Sequence, residues 1–218
     1  MTRKTISFTV IIVAVAIAAA MFIYSSTASL QAADTEPSAE DRENRLERSY
    51  SPSFGPQDAP VTIVEFFDPS CEACRAFYPI VKRILAENPN DVRLVLRYTP
   101  FHKGSEEVVR LLEAARLQGV FKPVLEAVLA AQPEWAAHGR PRLDKAWAAA
   151  EAAGLDVETA RQSMIRPDVD ATINQDKEDV AALGIMKTPT FFVNGQPLPS
   201  FGVQQLKDLV REEISSSN

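Results

Sequence analysis

The sequence predicts an α/β fold in which a strand–helix–strand unit is followed by a long helical insertion, then by a β-hairpin and a closing helix. Three observations carry this. The run from Val61 to Phe67 is apolar apart from Thr62 and Glu65, as expected of a strand buried on both faces. From Gly104 to Ile185 there is no strand-like run, while apolar residues recur at helical spacing. Finally, Thr188-Pro189-Thr190-Phe191-Phe192-Val193 leads into Asn194-Gly195, a dipeptide that favours a tight primed hairpin turn.

At the amino terminus, Arg3 and Lys4 precede an uncharged stretch from Thr5 to Gln31 with an apolar centre from Phe8 to Tyr24. Positive charge before the segment and none after it predict a cytoplasmic start and an exported remainder. The centre is longer than an h-region of at most about 15 residues and shorter than a full span of about 20. Two outcomes stay open: cleavage near Ser26-Thr27-Ala28 or Ala32-Ala33, or retention as a single-helix anchor. Residues 1–32 are therefore read as leader or anchor. Residues 33–57, rich in Asp, Glu, Arg, Ser and Pro, read as a polar linker with Leu46, Tyr50 and Phe54 its few large apolar residues. Within it, Ser38-Ala39-Glu40-Asp41 resembles a capping box for a short helix through Leu46.

The domain itself is expected over 58–218. After the strand at Val61–Phe67, a helix runs from the cysteines to Glu87, and Asp91–Tyr98 alternates at period two as a second strand. A strand–helix–strand unit makes the two strands parallel with a right-handed crossover. In the insertion, about 104–185, Val108, Leu111, Leu112 and Ala115 mark a first helix ended by Gly119. Val124, Leu125, Val128 and Leu129 mark a second, and Leu143, Trp147 and Ala150 a third closed by Gly154. Asp156 caps a fourth reaching Met164, and Pro167 opens a long last one ending before Gly184. Trp135 and Trp147 read as core or lid residues. A final amphipathic helix places Val203, Leu206, Leu209, Val210 and Ile214 against the sheet.

Across 218 residues, 23 Lys and Arg stand against 29 Asp and Glu, a net charge of −6. That balance supplies no basic stripe, so nucleic acid is not an expected partner.

The chemistry concentrates in two cysteines, Cys71-Glu72-Ala73-Cys74, at the head of the first helix. Unpaired N–H groups and the helix dipole favour a thiolate there. The spacing puts both sulfurs on one helical face, where they can close and reopen a disulfide. A zinc site would need two more ligands, and His102 and His138, the two histidines of the chain, do not stand at ligand spacing. A purely structural bridge across so short a loop would stabilise little. No metal and no cofactor are expected.

Glu65-Phe66-Phe67, the Cys71–Cys74 site, Pro79 five residues later and Thr188-Pro189-Thr190 before a strand together resemble the thioredoxin superfamily. The helical insertion, and the lead-in from Gly55 to Phe66, resemble its DsbA-like branch. The resemblance covers about Phe54 to Ile214. It implies a thioredoxin fold: a central mixed sheet with an inserted helical subdomain. It also implies roles. Cys71, at the exposed helix start, is the attacking thiolate, and Cys74 resolves the mixed disulfide. Pro189 is the family's cis-proline, presenting the backbone of Thr188 for strand-like pairing with a substrate chain. Glu65 is the buried acid that exchanges a proton as the disulfide changes state. Pro79 is structural.

The chain departs from the strongest oxidants of the family, which commonly carry proline and histidine between the cysteines. Here Glu72 and the upstream Asp68 predict a disfavoured Cys71 thiolate and a weaker oxidant, with Arg75 offsetting part of the effect. The leading functional expectation is a thiol:disulfide oxidoreductase of exported protein thiols, acting as an oxidase recharged by a membrane redox partner. It is expected to work outside the cytoplasm as a monomer on unfolded or partly folded proteins. A reductase, an isomerase, a glutathione-dependent relative and a peptide-binding holdase without turnover are the alternatives. His102, beyond Pro100-Phe101, is read as a surface residue.

Overall fold

The computed structural model describes residues 39–137 and 139–217. The expected leader at 1–32, the first part of the expected linker and His138 lie outside the described residues. From Asp41 onward the chain forms one compact unit. No helix among the described residues is long and apolar enough to cross a membrane.

Among the described residues, fourteen elements follow in order. α1 (Ala39–Leu46) and β1 (Ser53–Phe54) lead to β2 (Val61–Phe67), α2 (Glu72–Glu87) and β3 (Val92–Tyr98). The helical insertion comprises α3 (Ser105–Leu117), α4 (Phe121–Ala130), α5 (Gln132–Trp135), α6 (Leu143–Ala152), α7 (Val157–Ser163) and α8 (Pro167–Ala182). β4 (Thr190–Val193), β5 (Gln196–Pro197) and α9 (Val203–Ser217) close the chain. The strands form one mixed sheet in the order β1-β3-β2-β4-β5. β2 and β3 are parallel, as their helical crossover requires, and β4 runs antiparallel on the other side of β2, with Val64 opposite Phe192.

The alternation of side chains along β2 feeds two layers. Val61, Ile63 and Phe67 join the larger core with Cys74, Phe77, Val81 and Ile84 of α2 and with Leu206 and Val210 of α9. Val64 and Phe66 face the opposite way, into a smaller cluster with Val95, Val180, Ile185 and Phe192. Glu65 therefore shares the side of Ile63 and Phe67, the side covered by the redox helix. The Asn194-Gly195 turn has both residues at positive φ, 45° and 79°, which is the geometry a primed hairpin needs. Asp156 caps α7 by accepting the Thr159 N–H at 3.1 Å. Trp135 and Trp147 are both core residues, with indole N–H groups donating to the Val128 carbonyl and to Glu107.

The described part of the stretch expected to be a linker is folded. β1 pairs antiparallel with β3, and the Leu96 N–H donates to the Pro52 carbonyl at 2.9 Å. Leu46 is buried in the smaller cluster. Several polar side chains of this stretch are held by side chains far along the sequence. Arg48 makes two bonds to Asp179, at 2.8 and 2.7 Å, and the Tyr50 hydroxyl donates to Asp176 at 2.7 Å. Beneath them Arg97 of β3, with no exposed surface, donates to Asp176 at 2.8 Å, to Asp179 at 2.7 Å and to the Leu46 carbonyl at 2.9 Å. Arg45, Arg48 and Tyr50 thus close the outer side of a buried ion network, while Asp41, Arg42, Glu43 and Glu47 stay exposed.

Candidate active site

Cys71 is the N-cap of α2 with extended backbone, φ −75° and ψ 120°, and its carbonyl accepts the Arg75 N–H at 3.1 Å. Cys74 lies one turn in. Both thiols are free. Cys74 is fully buried, and Cys71 is less open than an exposed helix start would leave it, at 7 %. The loop ahead of β4 covers it. The Thr188–Pro189 peptide bond is cis, Pro189 is buried, and the half-buried Thr188 sets its carbonyl where the Cys71 thiol donates to it at 3.2 Å.

Several donors converge on the Cys71 sulfur. Hydrogen bonding from the Cys74 thiol is the largest effect, and the Thr188 side chain and the N–H groups of Cys74 and Ala73 add to it. Together they outweigh burial and bring the Cys71 thiol down from 9.0 to about 5. Cys74 moves the other way, well above the ordinary thiol range, because of burial, its bond to Cys71 and the nearby Glu65 charge. Glu65 is almost wholly buried, with neither carboxyl oxygen partnered, and burial followed by the Cys71 charge pushes it from 4.5 up to about 8. The structure thus brings Cys71, Cys74, Thr188 and Glu65 into one electrostatic unit, with Pro189 in its covering loop.

The expectation that Asp68 and Glu72 would disfavour the Cys71 thiolate is overturned. Asp68 does not present a bare charge to the sulfur. It is fully buried, and its carboxylate accepts from the N–H groups of Ser70, Phe101 and His102 and from the Ser105 hydroxyl, with His102 Nδ1 at 2.7 Å. Glu72 lies on the exposed first position of α2. His102, read from sequence as a surface residue, is 40 % exposed at its side chain but joins this network next to the redox loop.

Sequence reasoning also missed Gln132. Buried at the start of α5, it donates through Nε2 to the carbonyls of Pro69, at 2.7 Å, and Cys71, at 3.0 Å. Its Oε1 accepts from Arg75 Nε at 2.8 Å. The insertion thereby reaches the redox loop from a second side. No local pattern around Gln132 announces this, because all of its partners lie far away in the chain. Among the described residues, no group of three or more His, Cys, Asp or Glu side chains is arranged to hold a metal ion.

Comparison with known proteins identifies the family and the fold. The sequence model of the family described as Thioredoxin matches residues 47–212. A thioredoxin-like oxidoreductase from Silicibacter pomeroyi DSS-3 is 32% identical, with a TM-score of 0.68 over 78% of this chain and 95% of that one. The thiol-disulfide exchange protein alpha-DsbA2 from Wolbachia pipientis shares the fold at 17% identity, with a TM-score of 0.68 over 79% of this chain and 92% of that one. Among curated relatives, the Na(+)/H(+) antiporter NhaA of Herminiimonas arsenicoxydans is 35% identical over 144 residues, which are 66% of this chain. The chain spans only 22% of that antiporter's length.

Proposed function

We propose that this chain, which belongs to the thioredoxin family and has the DsbA-like helical insertion, is a thiol:disulfide oxidase acting outside the cytoplasm on unfolded or partly folded exported proteins. The observation that supports the direction is the Cys71 thiol, held down to about 5. A disulfide whose reduced form is stabilised as a thiolate is a strong oxidant. In the proposed cycle a substrate thiolate bonds to Cys71 Sγ, the Cys71–Cys74 bond breaks, and Cys74 receives the electron pair and a proton. A second substrate thiolate then bonds to the first substrate sulfur, and Cys71 leaves as the stabilised thiolate. The substrate gains a disulfide and gives up two electrons and two protons. Thr188 offers a backbone edge on which an extended substrate chain can pair beside Cys71. Glu65, protonated near neutral pH, exchanges a proton with the buried sulfur. A membrane partner restores the disulfide, and the leader delivers the domain to its compartment.

The test is the reduction potential of the Cys71–Cys74 pair, equilibrated against glutathione. A value above about −200 mV is expected of an oxidase, and one below about −250 mV would reverse the assignment to reductase. A protein that binds unfolded chains but leaves their thiols unchanged would overturn both.

A further inference from the structure

The loop between β2 and α2 is anchored by one side chain with an unusual number of partners. Asp68 Oδ1 accepts from the Ser70 N–H at 2.8 Å and from the Ser105 hydroxyl at 2.5 Å. Oδ2 accepts from the N–H groups of Phe101 at 2.8 Å and His102 at 3.0 Å, with His102 Nδ1 at 2.7 Å. The Ser105 hydroxyl also lies 2.7 Å from that of Ser70. So many fixed contacts leave the Asp68 side chain one position, and they set the backbone of residue 68 with it. That backbone touches both cysteines. Its carbonyl accepts the Cys71 N–H at 3.0 Å, and its own N–H donates to Cys74 Sγ at 3.5 Å.

We infer that Asp68 is a positioning residue for the leaving sulfur: its anchored carboxylate aims the Asp68 backbone N–H at Cys74 Sγ, where negative charge arrives when the Cys71–Cys74 bond opens. The inference rests on the chain being a dithiol exchanger, as proposed above. When a substrate thiolate bonds to Cys71 Sγ, the electron pair of the broken S–S bond settles on Cys74 Sγ. That sulfur is fully buried, so water cannot stabilise the charge. The groups that face it are Glu65 from β2, Cys71 at the head of its own helix and Asp68 from the loop. The two side chains raise the cost of a Cys74 thiolate, and the Asp68 N–H lowers it. Once Cys71 is tied to substrate it no longer carries a charge, which leaves the Asp68 N–H facing the developing thiolate and Glu65 placed to deliver the proton. The arrangement resembles an oxyanion hole made for sulfur. By microscopic reversibility the same N–H favours the Cys74 thiolate when it attacks the mixed disulfide from the other direction. A carboxylate suits the anchor because the three N–H groups and the Ser105 hydroxyl each have a hydrogen to give. An amide in its place turns an NH2 group toward donors and loses at least the bonds on that side.

The test uses the full chain with Cys71 in a mixed disulfide with glutathione, following glutathione release by Cys74 in a single turnover across pH. Asp68→Asn should slow release at neutral pH by about tenfold and move the Cys74 titration upward by about one pH unit. Ser105→Ala and His102→Ala, each removing part of the anchor, should shift it in the same direction by less. An ester in place of the Phe67–Asp68 peptide bond deletes the N–H and keeps the carboxylate, and it should reproduce the Asp68→Asn effect. A folded Asp68→Asn protein whose Cys74 titration superimposes on the parent, or an ester variant that releases glutathione at the parent rate, overturns the inference. If the parent itself neither forms nor resolves the mixed disulfide, the exchange reading falls instead, so the two failures are separate.

Discussion

Glu65 provides a quantitative check on the electrostatics of the buried site. Its carboxyl has no hydrogen-bond partner at either oxygen, and burial pushes it from 4.5 to about 8. Between those values the unfolded chain has released a proton that the native state keeps. Stability from this group is therefore complete below about pH 4.5 and is lost as pH rises through about 8. At about 1.4 kcal/mol per pH unit, the loss reached at pH 7 is on the order of 3 kcal/mol. Glu65→Gln keeps the shape and removes the ionisation, at a cost for burying the amide that does not depend on pH. Relative to the parent, the variant should gain on the order of 3 kcal/mol between about pH 4.5 and about pH 7. The parent's own curve will not display this, because reduced Cys71 acts in opposition. Its thiol falls from 9.0 to about 5 on folding, so its contribution is present above about 9 and lost as pH falls through about 5. The difference between variant and parent, from urea unfolding of the reduced proteins, isolates Glu65. A difference that stays constant across that pH range would refute the assignment of Glu65 as a buried, proton-holding acid.

Three further outcomes follow from the same geometry. Alkylation of Cys71 in the reduced protein should rise with pH around a midpoint near 5. In Cys74→Ala the midpoint should climb, because the Cys74 thiol supplies the largest downward effect, and an unmoved midpoint would contradict that ranking. Reduced Cys74→Ser should accumulate a mixed disulfide with an unfolded substrate protein that carries a disulfide, because the Cys71 thiolate opens that bond and no Cys74 thiol resolves the product, visible as a shifted band on non-reducing gels, whereas Cys71→Ser should form none. Arg97→Met should destabilise the fold by about 3–5 kcal/mol in denaturant, since it leaves the buried Asp176 and Asp179 without their deepest partner.

Much of the fold was legible because the chain marks it locally. The apolar run of β2, the alternation of β3, the Asn194-Gly195 turn and the caps at Asp156 and Pro167 each signal through neighbouring residues. The placement of Cys71 and Cys74 at a helix head and of Thr188-Pro189 ahead of a strand was legible for the same reason, since these residues belong to short, specific patterns. What stayed hidden depends on partners distant in sequence. Arg48 and Tyr50 look like tether residues until Asp176 and Asp179 lie over them. Asp68 reads as a repelling charge until its hydrogen bonds are known, and Gln132 reads as an ordinary helix end. Composition gives the sign of a charge but not whether it is neutralised, so the expected acidity of Cys71 came out in the wrong direction.

The Arg97 network also constrains how this protein can change over generations. Arg97, Asp176 and Asp179 satisfy one another out of contact with water, with Arg48 and Tyr50 closing the outer side. Replacing any one member strands a buried charge, while replacing several together with apolar residues need not cost stability. The intermediate steps run uphill, so the set is expected to be inherited as a block. Drift in the segment from Leu46 to Phe54 is then tied to drift in α8, at positions about 130 residues away, and related sequences should show these sites varying in concert or not at all.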